Sequence, residues 1–169
     1  PAPPPLLARE LLFGNPERIG GQISPDGRWL GYIAPRDGVL NVYVAASDTP
    51  DEAKPVTNDR LRGIRNFSFA FTGNHVLFGQ DVGGDENFQV FAVDLTTGAQ
   101  SELTPKGSRG GIAALSPRHP EEVIVSVNDR DPMYFDLVRV NLVNGAQTRM
   151  FENEEFANVY VDRDFALRF

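Results

Sequence analysis

The sequence predicts an all-β fold: a partial β-propeller of about three and a half four-stranded blades with a 46-residue repeat, plus a short N-terminal helix. Two observations carry this prediction. Three segments align at a constant step, since Ser24 to Ala70 is 46 residues and Ala70 to Ser116 is 46 again. Glycine and proline (16 and 13) make up 29 of the 169 residues, about 17% against an average near 12%, which favours a turn-rich protein over a helix bundle. A blade of four short strands is about this repeat length.

The chain opens Pro1-Ala2-Pro3-Pro4-Pro5, which favours extended polyproline II. It shows no initiating Met, charged n-region or apolar h-region, so the expectation is that no signal peptide is present. A mature terminus left after signal removal and a trimmed chain both read this way. Residues 6–13 place Leu6, Leu7, Leu11 and Leu12 at helical spacings, stopped by Gly14-Asn15-Pro16, and read as a short helix docked on the main body.

The repeats follow. Ile23-Ser24-Pro25-Asp26-Gly27-Arg28-Trp29-Leu30-Gly31-Tyr32-Ile33 aligns with Phe69-Ala70-Phe71-Thr72-Gly73-Asn74-His75-Val76-Leu77-Phe78. Both align with Leu115-Ser116-Pro117-Arg118 running into Val123-Ile124-Val125-Ser126-Val127. A further step of 46 lands on Asp162, where a fourth copy begins. Each copy continues through a polar loop into another strand, at Asn41-Val42-Tyr43-Val44-Ala45, Gln89-Val90-Phe91-Ala92-Val93 and Leu137-Val138-Arg139-Val140-Asn141. Closing strands follow at Pro55-Val56-Thr57, Ser101-Glu102-Leu103-Thr104 and Thr148-Arg149-Met150-Phe151, and stretches such as 64–71 and 111–116 are the expected innermost strands. The strands are apolar on both faces, as a sheet buried between two neighbours requires. A two-sheet sandwich also uses short strands and turns, but the even step argues against it. The expected boundaries are 1–22 for the proline-rich lead and docking helix, 23–62, 63–108 and 109–154 for three blades, and 155–169 for the start of a fourth. Closed propellers have four to eight blades, so a piece of a larger ring is expected.

Composition narrows the function. The hydrophobic content of 41% is ample for a core. No apolar run approaches the roughly 18 residues of a membrane-spanning helix. The absence of cysteine excludes a disulfide scaffold, a thiolate zinc site and a cysteine nucleophile. Fourteen arginines are scattered among twenty-three acids, the net charge is −7 and the pI is near 4.8, which argues against nucleic-acid binding. No cofactor or metal is expected.

Arg9-Glu10-Leu11-Leu12-Phe13-Gly14-Asn15-Pro16-Glu17 leading into Ser24-Pro25-Asp26-Gly27-Arg28 resembles the start of bacterial serine peptidases of the prolyl oligopeptidase family, in the acylaminoacyl-peptidase-like branch. Further along, 34–44, Gly84-Asp85-Glu86-Asn87, and Asn128-Asp129-Arg130-Asp131-Pro132 before Phe135-Asp136-Leu137 extend the resemblance over nearly the whole chain. Ser-Pro-Asp-Gly alone is common among propellers; the ordered set is specific. The resemblance implies an N-terminal propeller of seven or eight blades capping a C-terminal α/β-hydrolase domain. That domain carries a Ser-Asp-His triad, and the propeller restricts entry to short peptides.

No catalytic set is expected within these residues. The Gly-x-Ser-x-Gly elbow of an α/β-hydrolase is missing, and Gly107-Ser108-Arg109-Gly110 falls one residue short. His75, at a strand start, and His119, in a turn, read as ordinary structural histidines. Asp85, Glu86 and Asn87 sit in one loop that could meet a cation or a substrate amine, although the loop lacks a calcium-loop register. Arg130 lies in the equivalent loop of the next blade, where it either pairs locally or faces a peptide carboxylate. These four are the candidate substrate-binding residues. Trp29, Tyr32 and Tyr43 read as blade-packing aromatics.

Two functions remain open. One is a non-catalytic propeller fragment of a peptidase of short or acylated peptides, with the hydrolase domain and the peptide as partners. The other is a stand-alone binding propeller acting as a protein-interaction module. In either case a half-ring leaves blade flanks uncovered, so the isolated chain is expected to self-associate or to be the ordered part of a longer polypeptide.

Overall fold

The computed structural model describes residues 6–14, 17–81 and 83–168. The proline lead at 1–5 and the Asn15-Pro16 stop lie outside the described residues. A short helix α1 (Arg9–Phe13) precedes fourteen strands: β1 (Ile19–Ile23), β2 (Trp29–Arg36), β3 (Val39–Ala46), β4 (Lys54–Pro55), β5 (Phe67–Phe69), β6 (His75–Gln80), β7 (Gln89–Asp94), β8 (Gln100–Glu102), β9 (Gly110–Leu115), β10 (Glu122–Val127), β11 (Asp136–Asn141), β12 (Gln147–Phe151), β13 (Tyr160–Val161) and β14 (Leu167–Arg168). They form three four-stranded antiparallel meanders, β1-β2-β3-β4, β5-β6-β7-β8 and β9-β10-β11-β12, and a two-stranded sheet, β13-β14. These are the three and a half blades that the 46-residue step implies.

The repeated turn explains how each sheet starts. In the first blade the Ser24 hydroxyl donates to Asp26 Oδ1 (2.6 Å) and accepts from the Trp29 amide (3.0 Å), while Gly27 supplies the φ of +76° that closes the turn. The Ser24 hydrogen bond, with help from Arg28, holds the Asp26 carboxyl at a pKa of about 2 despite an opposing contribution from burial. Gly73 (φ +81°) takes the same place in the second blade. In the fourth copy the position belongs to Phe165, in the left-handed region with φ +59°. Its side chain is buried, stacked on His119 (centroids 4.8 Å apart) and lying under the Arg139 guanidinium (5.5 Å). A position that glycine fills in the first two blades here carries an aromatic plug that fastens β13-β14 to the third blade.

The core lies between blades. Ile33, Val42 and Val44 of the first blade pack on Phe67, Phe69, Val76, Phe78, Phe91 and Val93 of the second. The opposite face of the second blade, with Leu77, Val90 and Ala92, meets Val123, Val125, Val127, Val138 and Val140 of the third. Ile124 and Leu137 then face Phe165, Val161 and Leu167. Strand alternation sends successive side chains to opposite faces, so each middle strand feeds two cores. Each fully buried side chain of this kind contributes about 1.5–3 kcal/mol. Gly31 is glycine because a Cβ there would lie 2.8 Å from the Phe67 ring and 2.9 Å from that of Phe69. Polar ties join neighbours as well. Trp29 Nε1 (2.9 Å) and Arg28 Nη2 (3.0 Å) donate to the Gly73 carbonyl, and the Ser116 hydroxyl donates to the Arg163 carbonyl (2.5 Å).

The first blade's far flank carries a stacked Tyr32–Tyr43 pair (5.8 Å, 2° between planes) with Arg18 over Tyr32 (5.0 Å). Trp29 packs into the core between the first two blades. The helix forms where the leucine spacing predicts it, but the expected docking is not made: Leu6, Leu7, Leu11, Leu12 and Phe13 are all exposed.

Candidate functional site

The register brings every inter-blade connection and every β2–β3-type loop to one end of the sheets, the rim. Phe67 at the start of β5 faces Phe78 near the end of β6, and Gln80 faces Gln89 at the start of β7. In the next blade Gly110 faces Val127, and Val127 faces Asp136. Segments 56–66, 83–88, 103–109, 128–135 and 152–159 therefore share this end. It contains all four residues singled out in the sequence.

A buried polar clasp, repeated in each blade, holds these segments. Near the start of the third strand stands a buried side chain that grips the chain just after it leaves the fourth strand. In the first blade Asn41 Oδ1 accepts from the Thr57 hydroxyl (2.9 Å) and the Asp59 amide (2.7 Å), and Asn41 Nδ2 donates to the Asp59 carbonyl (2.9 Å). In the second, Gln89 Nε2 donates to the Pro105 carbonyl (3.3 Å) beside a Thr104 hydroxyl that accepts from the Val90 amide (3.0 Å). In the third the position is Asp136, whose Oδ1 accepts from the Asn153 amide (2.8 Å).

A buried carboxylate needs paired donors, and Asp136 has them. Arg130 meets it with Nε (3.0 Å) and Nη2 (3.2 Å), and Arg149 Nη1 donates to the same carboxylate while pairing bidentately with Asp129 (2.9 and 3.1 Å). Burial raises the Asp136 pKa, but the hydrogen bonds from Arg130, Asn153 and Arg149 and the charge of Arg130 outweigh it and hold it below 3.8. Arg130 thus makes the local pair, and its Nη2 also donates to the Asn153 carbonyl (2.7 Å). Its Nη1 lies 3.8 Å from Glu154.

The acidic loop is arranged differently. Asp85 accepts from the Asn87 amide (3.0 Å) and side chain (3.3 Å), Glu86 takes a φ of +60°, and all three residues are exposed. Glu86 lines a small cleft of about 140 Å³ with Arg62, Arg65, Asp81 and Phe88. This opens beside a larger groove of about 510 Å³ between the second and third blades, walled by Phe67, Phe78, Phe88, Val90 and Ile112 and also bordered by Arg65. Among the described residues no hydrogen bond or ion pair joins Arg130 to the acidic loop. The structure therefore places the four candidates on one rim but in two separate clusters. Sequence reasoning missed Arg62, Arg65 and Phe88; the signal was Arg60-Leu61-Arg62-Gly63-Ile64-Arg65, three arginines in six positions.

Neither histidine stands in a catalytic arrangement. The ring of His75 shares a hydrogen bond with the Thr72 hydroxyl (3.0 Å), and its pKa is lowered by burial against the opposing charge of Asp94. His119 lies between Phe165 and Glu122. Among the described residues there is no cluster of three or more potential metal ligands.

No family model matches the chain. Over 97% of its length it is 43% identical to dipeptidyl aminopeptidase BIII of Pseudoxanthomonas mexicana, of which the match covers 24%. Over 96% of its length it is 24% identical to dipeptidyl peptidase family member 6 of Caenorhabditis elegans, covering 23% of that protein. The chain thus spans about a quarter of the length of the curated relatives it matches. In fold it is similar to the β-propeller domain of the trilobed protease of Pyrococcus furiosus (TM-score 0.60, 19% identity, 86% of this chain and 45% of that one). It is also similar to the acylaminoacyl peptidase of Pyrococcus horikoshii (TM-score 0.56, 19% identity, 86% and 26%). The chain is thus similar along nearly its whole length to one stretch of a dipeptidyl aminopeptidase, and in fold to the β-propeller domain of a protease.

Proposed function

We propose that this chain is the non-catalytic propeller part of a serine peptidase acting on short peptides, its rim gating access to an α/β-hydrolase domain carried elsewhere in the polypeptide. The observation that carries this reading is the 43% identity to a dipeptidyl aminopeptidase along nearly the entire chain. An enzyme that removes dipeptides must find a free α-ammonium group. Asp85 and Glu86, exposed on the rim, supply negative charge for it, and Arg130, whose Nη1 lies 3.8 Å from the exposed Glu154, supplies a donor for a substrate carbonyl or carboxylate. The apolar groove between the second and third blades offers a bed for side chains. In this reading further blades cover the Tyr32–Tyr43 flank and the edge of β14; in the isolated chain those surfaces drive self-association.

The test uses the longer polypeptide and a fluorogenic dipeptidyl substrate with a free amino terminus. Turnover blocked by a serine-directed inhibitor is expected in the long form and not in the 169-residue chain. Serine-dependent turnover by the short chain overturns the assignment. Asp85→Asn combined with Glu86→Gln should raise KM for free-amine substrates with little change in kcat, and an unchanged KM removes the loop from substrate binding.

A further inference from the structure

Asp81, the residue that follows β6, is a buried acid without an internal partner. It is 8% exposed, and among the described residues no hydrogen bond or ion pair reaches its carboxylate. Asp136, also buried, takes donors from two arginines and a backbone amide. A carboxylate withdrawn from water without such donors is costly to the fold. Asp81 instead lines the cleft of about 140 Å³ that it shares with Arg62, Arg65, Glu86 and Phe88.

The two arginines are unanswered as well. Among the described residues neither guanidinium group makes a hydrogen bond or an ion pair, with Asp81, Glu86 or any other acid. The segment that carries them is nevertheless fixed. The buried Asp59 carboxylate accepts the backbone amides of Arg60 (2.7 Å), Leu61 (3.2 Å), Arg62 (3.3 Å) and Gly63 (2.5 Å). The Arg62 guanidinium lies against Gly84, where a Cβ would come within 3.2 Å of its Cζ and Nη1. Opposite charges thus share one cleft without meeting, on a scaffold that has already met its ordering cost. Such a cleft suits a ligand that carries both charges. Its volume sets the size of that ligand: about 140 Å³ is well below the roughly 300–1,000 Å³ of pockets that enclose drug-sized molecules, and admits one amino-acid unit rather than a peptide. Phe88 borders both this cleft and the larger groove, and gives an apolar side chain a way out.

We propose that this cleft binds a free α-amino acid with an apolar side chain. The ammonium group donates to Asp81, the carboxylate accepts from Arg62 and Arg65, and the side chain lies over Phe88 toward the groove. The site goes beyond the peptidase reading, which uses Asp85, Glu86 and Arg130; the amino acid needs none of these three.

Calorimetric titration of the longer polypeptide, treated first with a covalent serine-directed inhibitor, tests it with L-leucine, L-leucinamide and N-acetyl-L-leucine. Leucinamide lacks the carboxylate and N-acetyl-leucine the ammonium group, so each should bind at least about tenfold more weakly than leucine, the effect of losing one hydrogen bond between charged groups. Asp81→Asn should weaken leucine by at least about tenfold and affect N-acetyl-leucine much less. Arg65→Met should weaken leucine likewise and affect leucinamide much less, as pairwise coupling requires. Because no internal donor answers Asp81, the ligand-free Asp81→Asn variant should melt no lower than wild type, which separates lost binding from lost folding. Absence of leucine binding overturns the proposal, as does equal binding of the three ligands or binding that both substitutions leave unchanged. A lower Tm for Asp81→Asn means that the carboxylate has an internal partner, and overturns it too. If the long form shows no serine-dependent activity and Asp81→Asn still weakens leucine, the peptidase reading fails and the amino-acid site stands.

Discussion

Replacing Asp136 by asparagine asks whether the third blade's clasp depends on charge. The first two blades make the same clasp with a neutral amide, Asn41 or Gln89, so the change preserves shape and removes the charge between Arg130 and Arg149. The Asp136 side chain is 2% exposed, so these bonds are made away from water. Removing one partner of a buried ion pair costs about 3–5 kcal/mol. Here the two arginine side chains are 34% and 30% exposed and keep other acceptors, the Asn153 carbonyl for Arg130 and Asp129 for Arg149. That discount leaves about 2–3 kcal/mol, or a fall in Tm of about 4–12 °C for a chain of this size. The pH dependence gives a second signature. Because the folded pKa of Asp136 lies below its ordinary 3.8, the unfolded state binds the proton more tightly. The carboxylate's contribution is therefore complete above that ordinary value and is lost as pH falls through the folded one. Urea unfolding followed by circular dichroism should show the full gap between wild type and Asp136→Asn at pH 7, narrowing below 3.8. A gap under about 0.5 kcal/mol at pH 7, the range of ordinary surface changes, refutes the reasoning. So does a gap that persists undiminished in acid.

Two further stability predictions use the same assay. Phe165→Ala keeps the positive φ and loses the burial against His119 and Arg139, costing about 3–5 kcal/mol. Phe165→Gly loses the same contacts but relieves the backbone, so it should be the more stable of the two by about 1 kcal/mol, and the reverse order refutes the strain. Gly31→Ala pushes a methyl group into the Phe67 and Phe69 rings and should destabilise by about 1–3 kcal/mol. The single tryptophan, Trp29, packs into the same core and its emission should shift with it; unchanged emission and stability would show that the two blades can part without cost.

The blades were legible in the sequence because their signals are redundant. The Ser24, Ala70 and Ser116 step, the turn glycines and the doubly apolar strands all follow from one requirement, that each sheet be buried on both faces. The clasp was not legible, for the opposite reason. Its three members, Asn41, Gln89 and Asp136, differ in chemistry, and each reads locally as a polar residue at a strand start. Only the three-dimensional register shows that they do one job. Arg130 illustrates the consequence. In sequence an arginine between two aspartates admits both a local pair and a ligand contact; the structure shows the local pair, made with the buried Asp136, because one carboxylate in that place requires cations that an amide does not. The third blade has therefore turned a structural hydrogen bond into a charged junction on the rim. There Arg130 is held by a carboxylate, in a place where the first two blades have only an amide.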